Sequence, residues 1–319
     1  MSKSDYAIVF PGQGAQEVGM GRDFYDGYKE ARDAYAEADE ALGFKLSGVV
    51  FGGPDEELVK TAITQPAILV TSIAILRVAE REFGEALTPL YFAGHSLGEY
   101  TALVASGVLG LGDAARLVRR RGELMQDAVP LGVGAMAAVL GLDMDAVSGV
   151  CNEASEGETC GPANVNSPGQ IVISGNAGAV ERAGVLAKQK GASKVIPLKV
   201  SAPFHCGLMR PVADKLYEAF GTVAWNVPRV PIMANVDASP KVDVDAIRGA
   251  LFDQTYMPVL WADGVAAMAA GGAARFGEFG PGSVLSGLIK RTVKGSSAIS
   301  VNKVADIPKA IGFLRKDES

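Results

Sequence analysis

Short apolar runs alternate with amphipathic stretches along this chain, and glycine or proline punctuates most of the boundaries. Residues 5–10 (DYAIVF) predict a strand, cut off at once by Pro11-Gly12-Gln13-Gly14. Residues 21–42 predict a helix with a charged outer face. Pro66 can open a helix at its first turn, and 67–81 (AILVTSIAILRVAER) is apolar nearly all round, which predicts a buried helix. Residues 88–93 (TPLYFA) suit a strand. Gly94-His95-Ser96-Leu97-Gly98 and a small-residue helical run to about Ser106 follow, then a helix over 113–126. Strand, tight turn, helix is an α/β rhythm.

The middle of the chain has a different order. Strand 135–140, helix 143–155, strand 160–166, turn Ser167-Pro168-Gly169, strand 170–174, helix 177–190 and strand 194–199 make βαββαβ, the ferredoxin-like unit. The α/β rhythm then resumes with helix 207–220, strand 230–234, helices 243–252 and 259–270, strands 274–279 and 297–301, and helix 305–315. The expected architecture is one α/β domain (1–128 and 198–319) with a ferredoxin-like subdomain inserted at 129–197.

Composition narrows the function classes. At 48% apolar and 21% charged residues, the chain can form a substantial core. A net charge of −6 argues against a nucleic-acid partner, since phosphate contacts need a basic face. Three cysteines, with no CxxC pair, suggest neither a disulfide framework nor a metal site. No apolar run approaches the ~18 residues of a membrane span, and the first residues have no signal character, so no membrane association and a cytoplasmic location are expected. Charge is uneven: residues 1–100 carry 8 basic and 16 acidic side chains, whereas residues 281–319 carry 7 and 3.

Gly94-His95-Ser96-Leu97-Gly98 fits GxSxG, the strand-to-helix turn that exposes a nucleophilic serine. In a glycine-rich chain the pattern is weak alone, but its place between a predicted strand and helix strengthens it. A serine hydroxyl needs a base. Of the only two histidines, His95 precedes Ser96 on the backbone and should point away, which leaves His205. In the helix over 113–126, the spacing of Ala114, Leu117, Val118, Leu124 and Met125 puts Arg121 in the apolar stripe. A core-facing guanidinium needs a partner, either a buried acid or a ligand carboxylate.

Six motifs give the chain a family resemblance. They are Phe10-Pro11-Gly12-Gln13-Gly14-Ala15-Gln16, Thr64-Gln65-Pro66-Ala67, Gly94-His95-Ser96-Leu97-Gly98-Glu99-Tyr100, Asn164-Val165-Asn166-Ser167-Pro168-Gly169-Gln170, Ser201-Ala202-Pro203-Phe204-His205 and Gly280-Pro281-Gly282-Ser283-Val284-Leu285. In this order, spanning nearly the whole chain, they resemble the malonyl-CoA:acyl carrier protein transacylases of dissociated fatty-acid synthesis. The resemblance implies an α/β-hydrolase-like domain carrying the ferredoxin-like subdomain, and ping-pong acyl transfer. It maps the nucleophile onto Ser96, the base onto His205, the oxyanion-hole N–H groups onto Gln13 and Leu97, and the malonate-binding arginine onto Arg121.

The same resemblance maps a carbonyl that orients the base onto Gln254. No acid stands out as third member of a triad, although Asp237, Asp253 and Asp263 are available. Asn164, Asn166 and Gln65 match positions near the cleft. Phe204 departs from the serine frequent in the family and should favour malonyl over methylmalonyl groups. Lys290 and Arg291 match a docking region for acyl carrier protein. The resemblance implies no cofactor, since malonyl-CoA is a substrate and phosphopantetheine arrives on the partner; a monomer is expected. A serine hydrolase or thioesterase, a polyketide acyltransferase and a non-catalytic carrier-binding protein are the alternatives.

Overall fold

In a computed structural model, residues 4–130, 132–198, 200 and 202–315 are described. They form two sheets. The larger has six strands in the order Ser297–Val301, Arg275–Phe279, Tyr6–Phe10, Tyr91–Gly94, Ile232–Met233 and Pro240–Lys241. Every neighbouring pair is parallel except the short last one. Tyr6–Phe10 lies in the middle and is buried along its whole length, so it reads as a continuous apolar run.

Alternate residues of that strand serve two cores. Ile8 and Phe10 face the helices Lys29–Leu42, Thr61–Phe83 and Leu111–Asp127, while Ala7 and Val9 face Trp261–Ala270 and Val284–Thr292. The smaller sheet runs Cys160–Ser167, Gln170–Asn176, Gly134–Leu140, Lys194–Pro197, all antiparallel. Helices Met144–Ser155 and Ala177–Gln189 share a separate apolar core with it. Its βαββαβ order and strand arrangement are ferredoxin-like. The fold is therefore an α/β-hydrolase-like core carrying a ferredoxin-like subdomain. Val259 joins the two, accepting from Val165 N at 2.8 Å and donating to Ala163 O at 2.9 Å.

Several elements differ from the sequence expectation. The helix over 21–42 is two, Arg22–Gly27 and Lys29–Leu42, because the chain is extended at Tyr28 after a glycine that favours helix termination. Pro66 does not open its helix: Thr61–Phe83 begins five residues earlier. Short helices Leu46–Gly52 and Asp55–Leu58, and the helix Val284–Thr292, were not expected. The last is hidden by its glycine-rich approach, yet buried Glu278 caps it, accepting from Leu285 N at 3.1 Å and Ser286 N at 2.7 Å. The strand expected over 230–234 is only Ile232–Met233, and that over 194–199 is Lys194–Pro197, with residue 199 outside the described set.

The expectation that no apolar stretch approaches the length of a membrane span needs correcting. Thr61–Phe83, 23 residues with mean hydropathy 1.6, is long and apolar enough to cross a bilayer. Its interspersed polar residues disguise this in the sequence. It is instead a central core helix, with 83% of that apolar stretch buried, and buried polar side chains on it are partnered inside, as at Thr71, whose Oγ1 lies 2.7 Å from Tyr35 Oη and donates to Ala67 O at 2.8 Å.

Candidate active site

The site lies at the C-terminal ends of Tyr6–Phe10 and Tyr91–Gly94, where open α/β sheets present their ligands. Ser96 occupies the turn after the second strand with φ +51° and ψ −101°, a conformation few non-glycine residues adopt. The turn can be this sharp only because its flanks lack side chains. A Cβ on Gly94 would sit 1.9 Å from Gly98 C, and one on Gly98 2.2 Å from Phe10 O. The loop after the first strand presses equally close, since a Cβ on Gly12 would come within 2.4 Å of His95 O. That contact places Gln13 beside Ser96 and Leu97 along one cleft of about 560 Å³.

His205, also at positive φ, is buried and lies with Nε2 2.8 Å from Ser96 Oγ. Its Nδ1 is 2.8 Å from the Gln254 carbonyl, which can only accept, so Nδ1 carries the proton. Nε2 is then the lone-pair nitrogen facing the serine hydroxyl. Burial, and after it the Arg121 charge, lower the imidazole pKa to about 3. The alternatives for a third, acidic member are elsewhere: Asp237 accepts from Ser239, Asp253 accepts from Tyr256, and Asp263 is exposed in the first turn of Trp261–Ala270. His95 does turn away, donating from Nε2 to Asn166 Oδ1 at 2.8 Å and packing against Trp261.

Arg121 faces inward as its spacing predicted, and it is only 2% exposed. It donates from Nη1 to Gln65 Oε1 at 2.9 Å, and from Nη2 to Ser96 Oγ and to Gln254 Oε1, both at 3.0 Å. Its Nε is buried without a hydrogen-bond partner. Among the described residues no carboxylate forms an ion pair with it, so a directly paired buried acid is ruled out. The site thus joins Ser96, His205, Arg121, Gln65 and Gln254. Gln254 sits on the helix Val244–Tyr256, which extends past the expected end at 252.

Asn164 and Phe204 line the same cleft. Asn166 reaches His95 rather than Ser96. Lys290 and Arg291 are exposed in the last turn of Val284–Thr292, and Arg291 Nη1 donates to Gln170 Oε1 at 3.1 Å.

Two buried residues escaped the sequence reading. Asn235 accepts from Ser96 N at 2.7 Å and donates from Nδ2 to Gly94 O at 2.8 Å, bracing the turn from both sides. Glu99 Oε2 accepts from Asn235 N at 3.0 Å and from Gln254 Nε2 at 2.9 Å. Burial raises its carboxyl pKa to about 7. Glu99 sits inside the quoted serine motif, on the first turn of Leu97–Ala105, so its position was visible even though its role was not.

Comparison with known proteins identifies the family. Residues 7–318 match the acyl transferase domain family. The chain belongs to the acyl transferase family. This acyl transferase is 48% identical to the malonyl CoA-acyl carrier protein transacylase of Escherichia coli K12 over 308 residues, covering 97% of this chain and 99% of that one. It is 45% identical to the Bacillus subtilis protein of the same name over 315 residues, covering 98% of each. An acyl carrier protein S-malonyltransferase from Vibrio cholerae superposes with TM-score 0.94 at 47% identity, covering 96% of this chain and all of that one. A malonyl-transacylase solved with its type II PKS acyl-carrier protein superposes with TM-score 0.93 at 45% identity, covering 98% of this chain and all of the other.

Proposed function

We propose that this acyl transferase moves a malonyl group from malonyl-CoA to the phosphopantetheine thiol of an acyl carrier protein, in fatty acid biosynthesis, through a malonyl-Ser96 ester. The observation that carries this reading is the Ser96–Arg121 contact. It sets a guanidinium beside a nucleophile that a base also reaches, so the acyl group to be transferred should end in a carboxylate.

His205 Nε2 takes the Ser96 proton as Oγ attacks the thioester carbonyl. Backbone N–H groups of Gln13 and Leu97 receive the oxyanion, the second at a helix N-terminus whose dipole favours negative charge. The intermediate collapses, the C–S bond breaks, and CoA leaves with the proton from His205. In the second half-reaction the carrier thiol gives its proton to His205 and attacks the ester, and Ser96 Oγ leaves and recovers its proton.

Arg121 acts on more than binding. Its positive charge depresses the basicity of His205. A malonyl carboxylate on the guanidinium offsets that charge, so binding the correct acyl group strengthens the base. Nη2, which already reaches Ser96 Oγ, is the donor placed to meet that carboxylate. Gln65 and Gln254 hold the guanidinium in place, Asn164 and Phe204 shape the pocket, and Asn166 holds His95 away from the nucleophile. Lys290 and Arg291 offer a cationic docking point. No cofactor enters the reaction. We place the enzyme in the cytoplasm, acting as a monomer, with 129–197 as a subdomain roofing the cleft.

Intact-mass measurement after mixing with malonyl-CoA tests the reading. Wild type should gain the mass of one malonyl group and Ser96→Ala should not. Absence of the adduct on wild type would overturn it, and steady release of free malonate without carrier protein would mark a hydrolase instead.

A further inference from the structure

Glu99 is a buried acid that the reaction steps above do not use, and one intervening residue ties it to each of Ser96, Arg121 and His205. Its Oε2 accepts from Asn235 N, and Asn235 holds Ser96 N. The same oxygen accepts from Gln254 Nε2. Gln254 Nε2 also donates to Ser96 O at 3.0 Å, its Oε1 accepts from Arg121 Nη2, and its main-chain carbonyl holds His205.

A glutamine amide has one accepting end and one donating end, and which is which depends on its neighbours. Here two acceptors, Glu99 Oε2 and Ser96 O, face the NH₂ end, which forces the carbonyl end toward Arg121. Were the amide reversed, its NH₂ would face a guanidinium that has only donors. The arrangement carboxylate, amide, guanidinium alternates acceptor and donor without a break. It lets an acid serve the arginine through one intervening amide while the guanidinium stays clear of direct pairing.

We propose that Glu99 is a positioning residue for carboxylate recognition: by fixing the Gln254 amide it holds Arg121 in the orientation that selects a malonyl over a neutral acyl group. This rests on the proposed malonyl transfer. The sequence alternatives for Arg121, a buried acid or a ligand carboxylate, are thereby reconciled, since the acid acts through Gln254 and leaves donor capacity for the ligand.

The test is a double-mutant cycle of Glu99→Gln with Arg121→Ala, read as acylation of Ser96 by malonyl-CoA and by acetyl-CoA. A neutral amide at position 99 presents either end to Gln254, so of the two acceptors that fix the amide the charged one is lost and Ser96 O alone remains. Glu99→Gln should raise KM for malonyl-CoA and cut the malonyl-over-acetyl preference by about tenfold or more, the scale of a charge-assisted hydrogen bond. In the Arg121→Ala background the same substitution should leave the preference unchanged. Glu99→Asp, which keeps the charge, should restore part of the preference; should Glu99→Gln not fold, Glu99→Asp is carried through the cycle in its place, with a smaller change expected only where Arg121 is present. Equal loss of both substrates, whether or not Arg121 is present, would overturn the proposal and leave Glu99 as a brace of the turn. Failure of wild type to form the malonyl adduct would instead remove the malonyl reading itself.

Discussion

His205 is held neutral by its surroundings rather than by a partner acid. Its ring faces the charges of Arg121 and His95 and the backbone of Gln254 and Met257, and burial dominates. With a folded pKa of about 3 against the ordinary 6.5, the base is available far into the acid range. The acid limb of kcat/KM that belongs to His205 is therefore expected well below 6.5. Because Glu99 titrates near 7, the profile should be measured in Glu99→Gln as well; a limb at 6.5 or above that persists there would contradict the burial argument. The two groups act on stability with opposite signs. The depressed His205 gives a contribution that is full above 6.5 and lost as pH falls toward 3. The raised Glu99 gives one that is full below 4.5 and lost as pH rises through about 7. Beside the base, Phe204 closes the pocket. Phe204→Ser should raise kcat/KM for methylmalonyl-CoA relative to malonyl-CoA by the ~1–3 kcal/mol that one methyl group commands in a pocket. Equal ratios in variant and wild type would remove Phe204 from selectivity.

At the scale of elements, legibility followed how local the determining physics is. The turn at Gly94–Gly98 and the inward face of the Arg121 helix could be read from the sequence because each depends on spacing within a few residues. The brace from Asn235 could not, since it lies 139 positions from Ser96 in the chain and its side chain meets Ser96 only through sheet order. The extension of Val244–Tyr256 past 252, which puts Gln254 on a helix, likewise depends on tertiary partners. The helix pair behind Arg121 shows the same dependence. Gly122 looks like a weak point in a helix, yet its missing side chain lets Leu111–Asp127 meet Thr61–Phe83 at backbone distance, where a Cβ would lie 2.6 Å from Thr61 O. Gly122→Ala must push the helices apart although alanine favours helix. It should cost about 1–3 kcal/mol as overpacking, seen as a lower Tm. It should also raise KM for malonyl-CoA, because Gln65 and Arg121 ride on the two separated helices. An unchanged Tm would show that the interface can absorb the added methyl group.

Across the whole molecule, net charge and local charge pull in different directions. A chain at −6 repels any partner of the same sign at long range, so productive encounter with an acidic carrier would need a cationic patch. The C-terminal 39 residues supply 7 basic side chains against 3 acidic ones, and Lys290 and Arg291 project from one helix end among them. Arg291 also reaches Gln170 on the small sheet, so the patch spans both parts of the molecule that face the cleft. Lys290→Glu with Arg291→Glu should therefore raise KM for carrier protein and flatten the salt dependence of transfer, because screened charge attraction is what it removes. Formation of malonyl-Ser96 from malonyl-CoA, which needs no carrier, should proceed at the wild-type rate. Measuring the two half-reactions separately distinguishes the cases: slower transfer with normal loading supports docking at this helix end. Equal slowing of both would mean that the substitutions disturb the helix against the sheet, and the carrier would then have to approach over another face.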